Sequence, residues 1–205
     1  MMSTLDLTRD PEDLLAKYRR SFETFERVLA SVDDTRWGAP SACDQWTIAD
    51  VAGHVTWGLQ LVRALASGET FANRDGAPGA PNPRVVVGSD PVSAWRSARD
   101  ACFETVDAGD LERVVQLGGP FGEGPLAVFV SALTTLDTPA HAWDIASAAG
   151  HPVELDADLL SAGAQLVHAM NFTRDVPGGL KSPLTPPPGA DAQTCYLALL
   201  GRRAW

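Results

Sequence analysis

Asp137 and His141 stand four residues apart, a spacing that stacks two side chains on one face of an α-helix. Leu126, Val130, Leu133 and Ala148 fall on the same face, so a helix through this segment buries the acid along with them. A buried carboxylate costs several kcal/mol unless it is paired or binds a cation, and Asp144 adds a second acid to the same face. The chain has four histidines, His54, His141, His151 and His168, and His54 sits in an apolar stripe with Val51, Gly58 and Leu61. One divalent metal ion held by His54, Asp137 and His141 accounts for all three buried groups. Two imidazoles and one carboxylate leave a coordination position for water or substrate, as in catalytic rather than structural zinc sites.

Pro139 opens a competing reading. Proline inside a helix removes a hydrogen bond and clashes with the preceding turn. Asp137 can therefore be the N-cap of a helix that starts at Thr138, satisfying backbone N–H groups instead of a metal. The alternative is a kinked helix that keeps Asp137 and His141 pointing inward. A lone histidine on an apolar face, such as His54, also has a plain reading as a hydrogen-bonded core residue.

The elements that must position these residues are helical. Asp10-Pro11 and Asp90-Pro91 each read as an aspartate N-cap followed by proline at the first helical position. After the first, Leu14, Tyr18, Phe22, Phe25 and Leu29 recur at helical spacing to about Asp33. After the second, Val92, Trp95, Ala98, Cys102 and Val106 do the same up to Gly109. Thr47 with Asp50 forms a short capping box for a helix through Val51, Val55, Leu59, Val62 and Leu65 to Gly68. Its flanks are apolar too, which predicts a central, enclosed helix. Further helices are expected from Gly124-Pro125 to Gly150, from Asp156 to Asn171, and over Ala192–Leu200. Strand alternation is absent except for a short edge piece at Arg84–Val87. The pattern predicts an all-α, up-and-down bundle with long crossovers, one domain over residues 1–205.

The crossovers Asn73–Asp90, Thr173–Gln193 and, more briefly, Gly118–Pro125 are rich in proline and glycine, and loops this long are expected to be functional or mobile. A net charge of −10, from 26 acidic against 16 basic residues, disfavours nucleic-acid binding, which rests on neutralising phosphates with Lys and Arg. Cys43, Cys102 and Cys195 are widely spaced and odd in number, so neither a zinc ribbon nor a disulfide framework is readable. The first ten residues lack a signal pattern and no apolar run spans a membrane. The expected location is cytoplasmic.

The segment Trp46-Thr-Ile-Ala-Asp50-Val-Ala-Gly-His54-Val resembles the first signature of the DinB-like superfamily, in its actinobacterial mycothiol-dependent maleylpyruvate isomerase N-terminal branch. Asp137-Thr-Pro-Ala-His141-Ala-Trp143-Asp144-Ile-Ala-Ser-Ala-Ala-Gly150 resembles the second. The spacer Pro120-Phe121-Gly122 and the ending Leu199-Leu200-Gly201-Arg202 are also similar to that branch, so the likeness runs from about residue 11 to 203. The resemblance implies a DinB-like four-helix bundle with zinc or nickel bound by His54, Asp137 and His141. It implies a small-molecule thiol, mycothiol, as cosubstrate and an electrophile as its partner; a homodimer is open, and the sequence does not fix the oligomeric state. Two departures stand out: Asp137 replaces the family's glutamate, and Pro139 separates the paired ligands. No counterpart of the full isomerase's extra C-terminal domain is expected, and on that expectation that exact activity is disfavoured. Trp143 is expected to pack, and Asp144 to orient a ligand histidine or a loop.

The leading expectation is a metal-dependent enzyme that uses a low-molecular-weight thiol for S-transfer, conjugation or isomerisation, since a metal with an open position holds a thiol as the nucleophilic thiolate. The alternatives are a non-catalytic metal- or ligand-binding bundle acting as a dimeric module, and a metal-free paralogue with Asp137 capping a helix.

Overall fold

The computed structural model describes residues 10–107, 109–118, 122–170, 172–175 and 179–205. Helix α1 (Pro11–Ser31) starts where the Asp10 side chain accepts the N–H groups of Glu12 and Asp13. Its buried face is Leu14, Tyr18, Phe22, Phe25 and Leu29, the expected stripe. Helix α2 (Ile48–Ser67) opens on the predicted capping box of Thr47 and Asp50 and closes on Gly68 in the left-handed region. Its residues from Ile48 to Leu59 are all buried, as an enclosed helix requires. Helix α3 spans Pro91–Asp107.

Two expectations fail. Arg84–Val87 is no strand: Pro83–Val86 forms a 3-10 turn, with proline fixing the first φ. The turn is held to α2 because the Asp50 oxygen not used in the capping box accepts the Arg84 N–H at 3.0 Å. The Gly118–Pro125 stretch is not merely a loop, since β1 (Val114–Gly118) and β2 (Gly122–Pro125) pair antiparallel. The second strand reads Gly-Glu-Gly-Pro, with no strand-forming residue to announce it. The hairpin feeds the next helix: the N–H groups of Leu126 and Ala127 donate to the carbonyls of Arg113 and Leu111, which satisfies two donors a helix start leaves open. Pro120 and Phe121 of the spacer lie outside the described residues, as do Met1–Arg9 and Asn171.

The expected long helix from Pro125 to Gly150 exists as a composite. Helix α4 (Leu126–Ala132) passes through a π turn (Leu133–Asp137) into α5 (Thr138–Ala149), which ends at Gly150 with φ +81°. Helices α6 (Ala157–Ala169) and α7 (Ala192–Leu199) follow. Helix α1 packs on α3 and α5, and α2 packs on the same two, which places α1 and α2 at opposite corners of a four-helix bundle. The steps from α1 to α2 and from α3 to the α4–α5 composite therefore cross the bundle diagonally and need long connections. Tyr18, Phe22, Phe25, Trp95 and Phe103 form an aromatic cluster between α1 and α3. Helix α6 packs on the π turn and α7 on α6. Among the described residues no helix is long and apolar enough to cross a membrane.

Candidate metal centre

The π turn decides how Asp137 is presented. The Thr138 N–H donates to the Leu133 carbonyl, five residues back. Pro139 has no N–H to give the carbonyls of Thr134 or Thr135. Those carbonyls are satisfied from outside the helix: Ser21 donates its hydroxyl to Thr134 at 2.8 Å, and Tyr196 donates to Thr135 at 2.8 Å and to Leu136 at 3.1 Å. Helix α6 comes close enough to the turn that a Cβ on Gly163 would lie 2.2 Å from the Thr135 oxygen. The chain thus stays helical through Pro139 by widening by one residue, as π turns at functional sites do. Asp137 keeps helical φ and ψ and its side chain caps no backbone N–H. Of the two readings of Asp137, the kinked, inward-facing one matches the structure.

The inward faces of α2 and α5 bring His54, Asp137 and His141 together. Asp137 Oδ1 lies 3.3 Å from His54 Nε2 and 3.4 Å from His141 Nε2. The two imidazole rings are 5.1 Å apart between centroids and nearly perpendicular, with the Trp46 indole beside both. His54 Nδ1 meets the Gly76 carbonyl at 2.7 Å, and His141 Nδ1 meets Asp144 Oδ2 at 2.9 Å. A carbonyl and a carboxylate can only accept, so each Nδ1 carries the hydrogen and, in the neutral ring, each Nε2 presents its lone pair. Two lone pairs and a carboxylate oxygen then face one another with no donor between them. Such a set needs positive charge at its centre. This donor chemistry fits a divalent first-row ion, and His54, Asp137 and His141 each have a ligating atom within 4.8 Å of the others.

The electrostatics carry the same message. Burial opposes ionisation of Asp137, yet the two imidazoles outweigh it and hold the carboxyl well below the ordinary carboxylate range. Burial likewise disfavours a charged His141, but Asp137 and Asp144 overcome it and raise the ring to about 9. The centre attracts a cation, whether proton or metal.

Each ring is clamped from behind. Gly76 belongs to the proline- and glycine-rich Asn73–Asp90 crossover, which is fastened onto α2: the Trp57 and Trp46 indoles donate to the carbonyls of Asn73 and Ala80, both at 3.0 Å. Gly76 lies so close to Trp57 that a Cβ there would sit 2.2 Å from the Trp57 Cβ. Asp144 is fully buried, and Arg202 binds both its oxygens at 2.8 and 2.7 Å. Burial would push the Asp144 carboxyl up, but Arg202 and then His141 hold it down at about 2. Asp144 orients the histidine, as expected; Arg202 was legible only as part of a terminal motif, with nothing local to reveal that it pairs with a residue 58 positions away. The Gly76 carbonyl had no signal at all.

A second group, Cys43 with His141 and Asp144, has atoms within the same reach. Its carboxylate and ring nitrogen are already committed to each other and to Arg202, and burial, aided by Asp144, pushes the Cys43 thiol up to about 12. It is a poorer ligand set. His151 and His168 are exposed and stand apart from the cluster.

Beside the centre opens a cavity of about 350 Å3, walled by Trp57, Phe129, Leu133, Leu136 and Leu180 with His54, Asp137 and His141 at its base. Asp137 keeps 30% of its side chain exposed at this wall.

Residues 18–146 match the family model described as the mycothiol maleylpyruvate isomerase N-terminal domain. An uncharacterized protein of Mycobacterium tuberculosis, recorded in two strains, is 33% identical over 150 residues, covering 72% of this chain and 73% of that protein. A second uncharacterized protein of the same species is 24% identical over 153 residues, 69% of this chain and 58% of the relative. The crystal structure of a mycothiol-dependent maleylpyruvate isomerase superposes with a TM-score of 0.59 at 16% identity, covering 76% of this chain and 67% of that one. A histidine-to-alanine mutant of a mycothiol-dependent maleylpyruvate isomerase gives 0.55 at 18% identity. At such identity the likeness concerns the fold.

Proposed function

This chain belongs to the mycothiol maleylpyruvate isomerase N-terminal domain family, and from that premise we propose that it is a metal-dependent enzyme acting with a low-molecular-weight thiol, mycothiol being the one the family name supplies. His54, Asp137 and His141 would hold the ion, zinc or nickel. An ion held there would supply the Lewis-acid chemistry that favours the thiolate form of a thiol at neutral pH. The observation that carries the reading is the convergence of two imidazole nitrogens, whose tautomers are fixed from behind, on one carboxylate oxygen.

The chain's own residues then do three things. Gly76 and Asp144 hold the imidazoles so that both Nε2 atoms face inward, and Arg202 holds Asp144; such support behind a ligand typically sustains metal affinity and activity. The apolar walls keep water from the reacting sulfur. Asp137, at the cavity wall, contributes negative charge that balances part of the ion's. In conjugation by addition, the sulfur electron pair forms the C–S bond, the electrons of the C=C bond take up a proton, and the sum is R–S–H added across the double bond. Isomerisation differs in that no proton is taken up at carbon: as the C–S bond forms, the C=C electrons move onto a conjugated carbonyl as an enolate, the resulting single bond rotates, and the enolate electrons re-form the C=C bond as the thiolate is expelled. The adjacent cavity favours catalysis over a purely structural ion, for which a closed four-ligand site is the norm.

Elemental analysis of purified protein beside His54→Ala and His141→Ala tests the ligand set: near-stoichiometric metal in the parent and marked loss in both variants is expected. Equal metal in all three would end the assignment. Mycothiol consumption by metal-loaded protein over a panel of electrophiles tests the chemistry, and rates no higher than those without protein would count against it.

A further inference from the structure

Charges on the cavity wall limit what the second substrate can be. Trp57, Phe129, Leu133, Leu136 and Leu180 offer aromatic and aliphatic surface, and among the described residues on the wall the charged side chains, imidazoles aside, are Asp137 and Arg202. Among the described wall residues Arg202 is the only fixed cation, and its Nε and Nη2 both bind Asp144. Its charge is balanced inside the protein by Asp144, which engages that edge of the guanidinium. Asp137 is negative and repels one. The chain as a whole carries −10, which disfavours steering of anions to the mouth.

We infer that this cavity takes an uncharged, apolar electrophile, aromatic or branched aliphatic, and discriminates against di- and monocarboxylates. The inference deepens the thiol-enzyme reading and rests on it for the word electrophile. On that reading the charge of a divalent ion is balanced by Asp137 and the incoming thiolate together, so no positive charge remains for a carboxylate. Moving a carboxylate into such walls without a partner costs several kcal/mol, and each 1.4 kcal/mol is tenfold in affinity.

Three probes of graded charge separate the outcomes: cinnamyl alcohol, cinnamate and maleate. The first two share a skeleton and differ in one carboxylate. Binding is measured calorimetrically to zinc-loaded protein saturated with mycothiol and, independently, to metal-free protein, where no metal is present to attract carboxylates. Cinnamyl alcohol should bind at least roughly tenfold more tightly than cinnamate, and maleate should not bind measurably, in both preparations. Leu180→Arg, on a loop wall rather than in the helical core, should reverse the order of alcohol and cinnamate, with unchanged circular dichroism confirming the fold. Cinnamate or maleate binding the parent protein as tightly as the alcohol in the metal-free arm would overturn the inference. If the preference holds in that arm while zinc or thiol fails to bind, the thiol-enzyme reading falls and the cavity's selectivity stands.

Discussion

At the scale of single residues, the Arg202–Asp144–His141 chain makes the sharpest forecast. Asp144→Asn weakens the acceptor for the His141 Nδ1–H and leaves a buried guanidinium without its anion. Zinc affinity is expected to fall about 10- to 100-fold, read by competition with a chelator. Stability should fall by about 3–5 kcal/mol, read by urea unfolding of metal-free protein. Arg202→Met combined with Asp144→Asn should recover part of that loss, because neither half of the pair is then stranded. The pH dependence has a definite sign. Burial works against the Asp144 carboxylate but Arg202 wins, so its pKa falls from 3.8 to about 2 on folding. A depressed folded value contributes stability that is complete above the unfolded value and is lost as pH falls through the folded one. The parent should therefore lose stability from roughly pH 4 down to about 2 more steeply than Asp144→Asn does. Parallel acid-unfolding curves for the two proteins would contradict this.

At the scale of elements, the π turn turns a proline that ought to break a helix into the device that presents Asp137. Its free carbonyls depend on α1 and α7 through Ser21 and Tyr196. Tyr196→Phe strands the carbonyls of Thr135 and Leu136 and should cost about 1–3 kcal/mol. Gly163→Ala drives a Cβ toward the Thr135 carbonyl and should destabilise by a similar amount, since overpacking displaces backbone. Both should also weaken zinc binding, because the displaced turn carries Asp137. A stability loss with unchanged zinc affinity in both variants would show that the turn does not set the ligand. The helices on either side needed no such support to be legible: Asp-Pro starts, the Thr47–Asp50 capping box and glycine stops are written within a few residues of the ends they fix. The hairpin and the 3-10 turn at Pro83–Val86 were not legible, because backbone pairing and the Asp50–Arg84 contact hold them rather than local propensity.

At the scale of the whole molecule, the centre exists because α2 packs on α5 within the bundle. Binding of an ion to the folded state alone must then raise stability by mass action, about 2.7 kcal/mol at a hundredfold excess over Kd. For a chain of this size each kcal/mol moves Tm by roughly 2–4 °C. Zinc should raise Tm by several degrees, a chelator should reverse the rise, and His54→Ala should abolish it while His151→Ala leaves it intact. A zinc-induced rise that survives in His54→Ala would place the ion elsewhere. The two proline- and glycine-rich crossovers act at this scale too. One supplies Gly76 and the other supplies Leu180, so the connections complete the site that the helices begin.

By itself the sequence determined the residue types able to bind a metal, the helices that carry them and the faces they occupy, since periodicity and capping depend on neighbours a few positions away. It left Asp137 open between capping a helix and facing inward. Only the tertiary structure decided that, because the answer rests on a turn whose carbonyls are satisfied by residues about 60 and 113 positions distant. The fixed tautomers of both histidines, the clamp of Arg202 on Asp144 and the largely apolar wall of the cavity were decided in the same way. Each is a hydrogen bond or a contact between segments far apart in the chain, and packing alone brings such segments together.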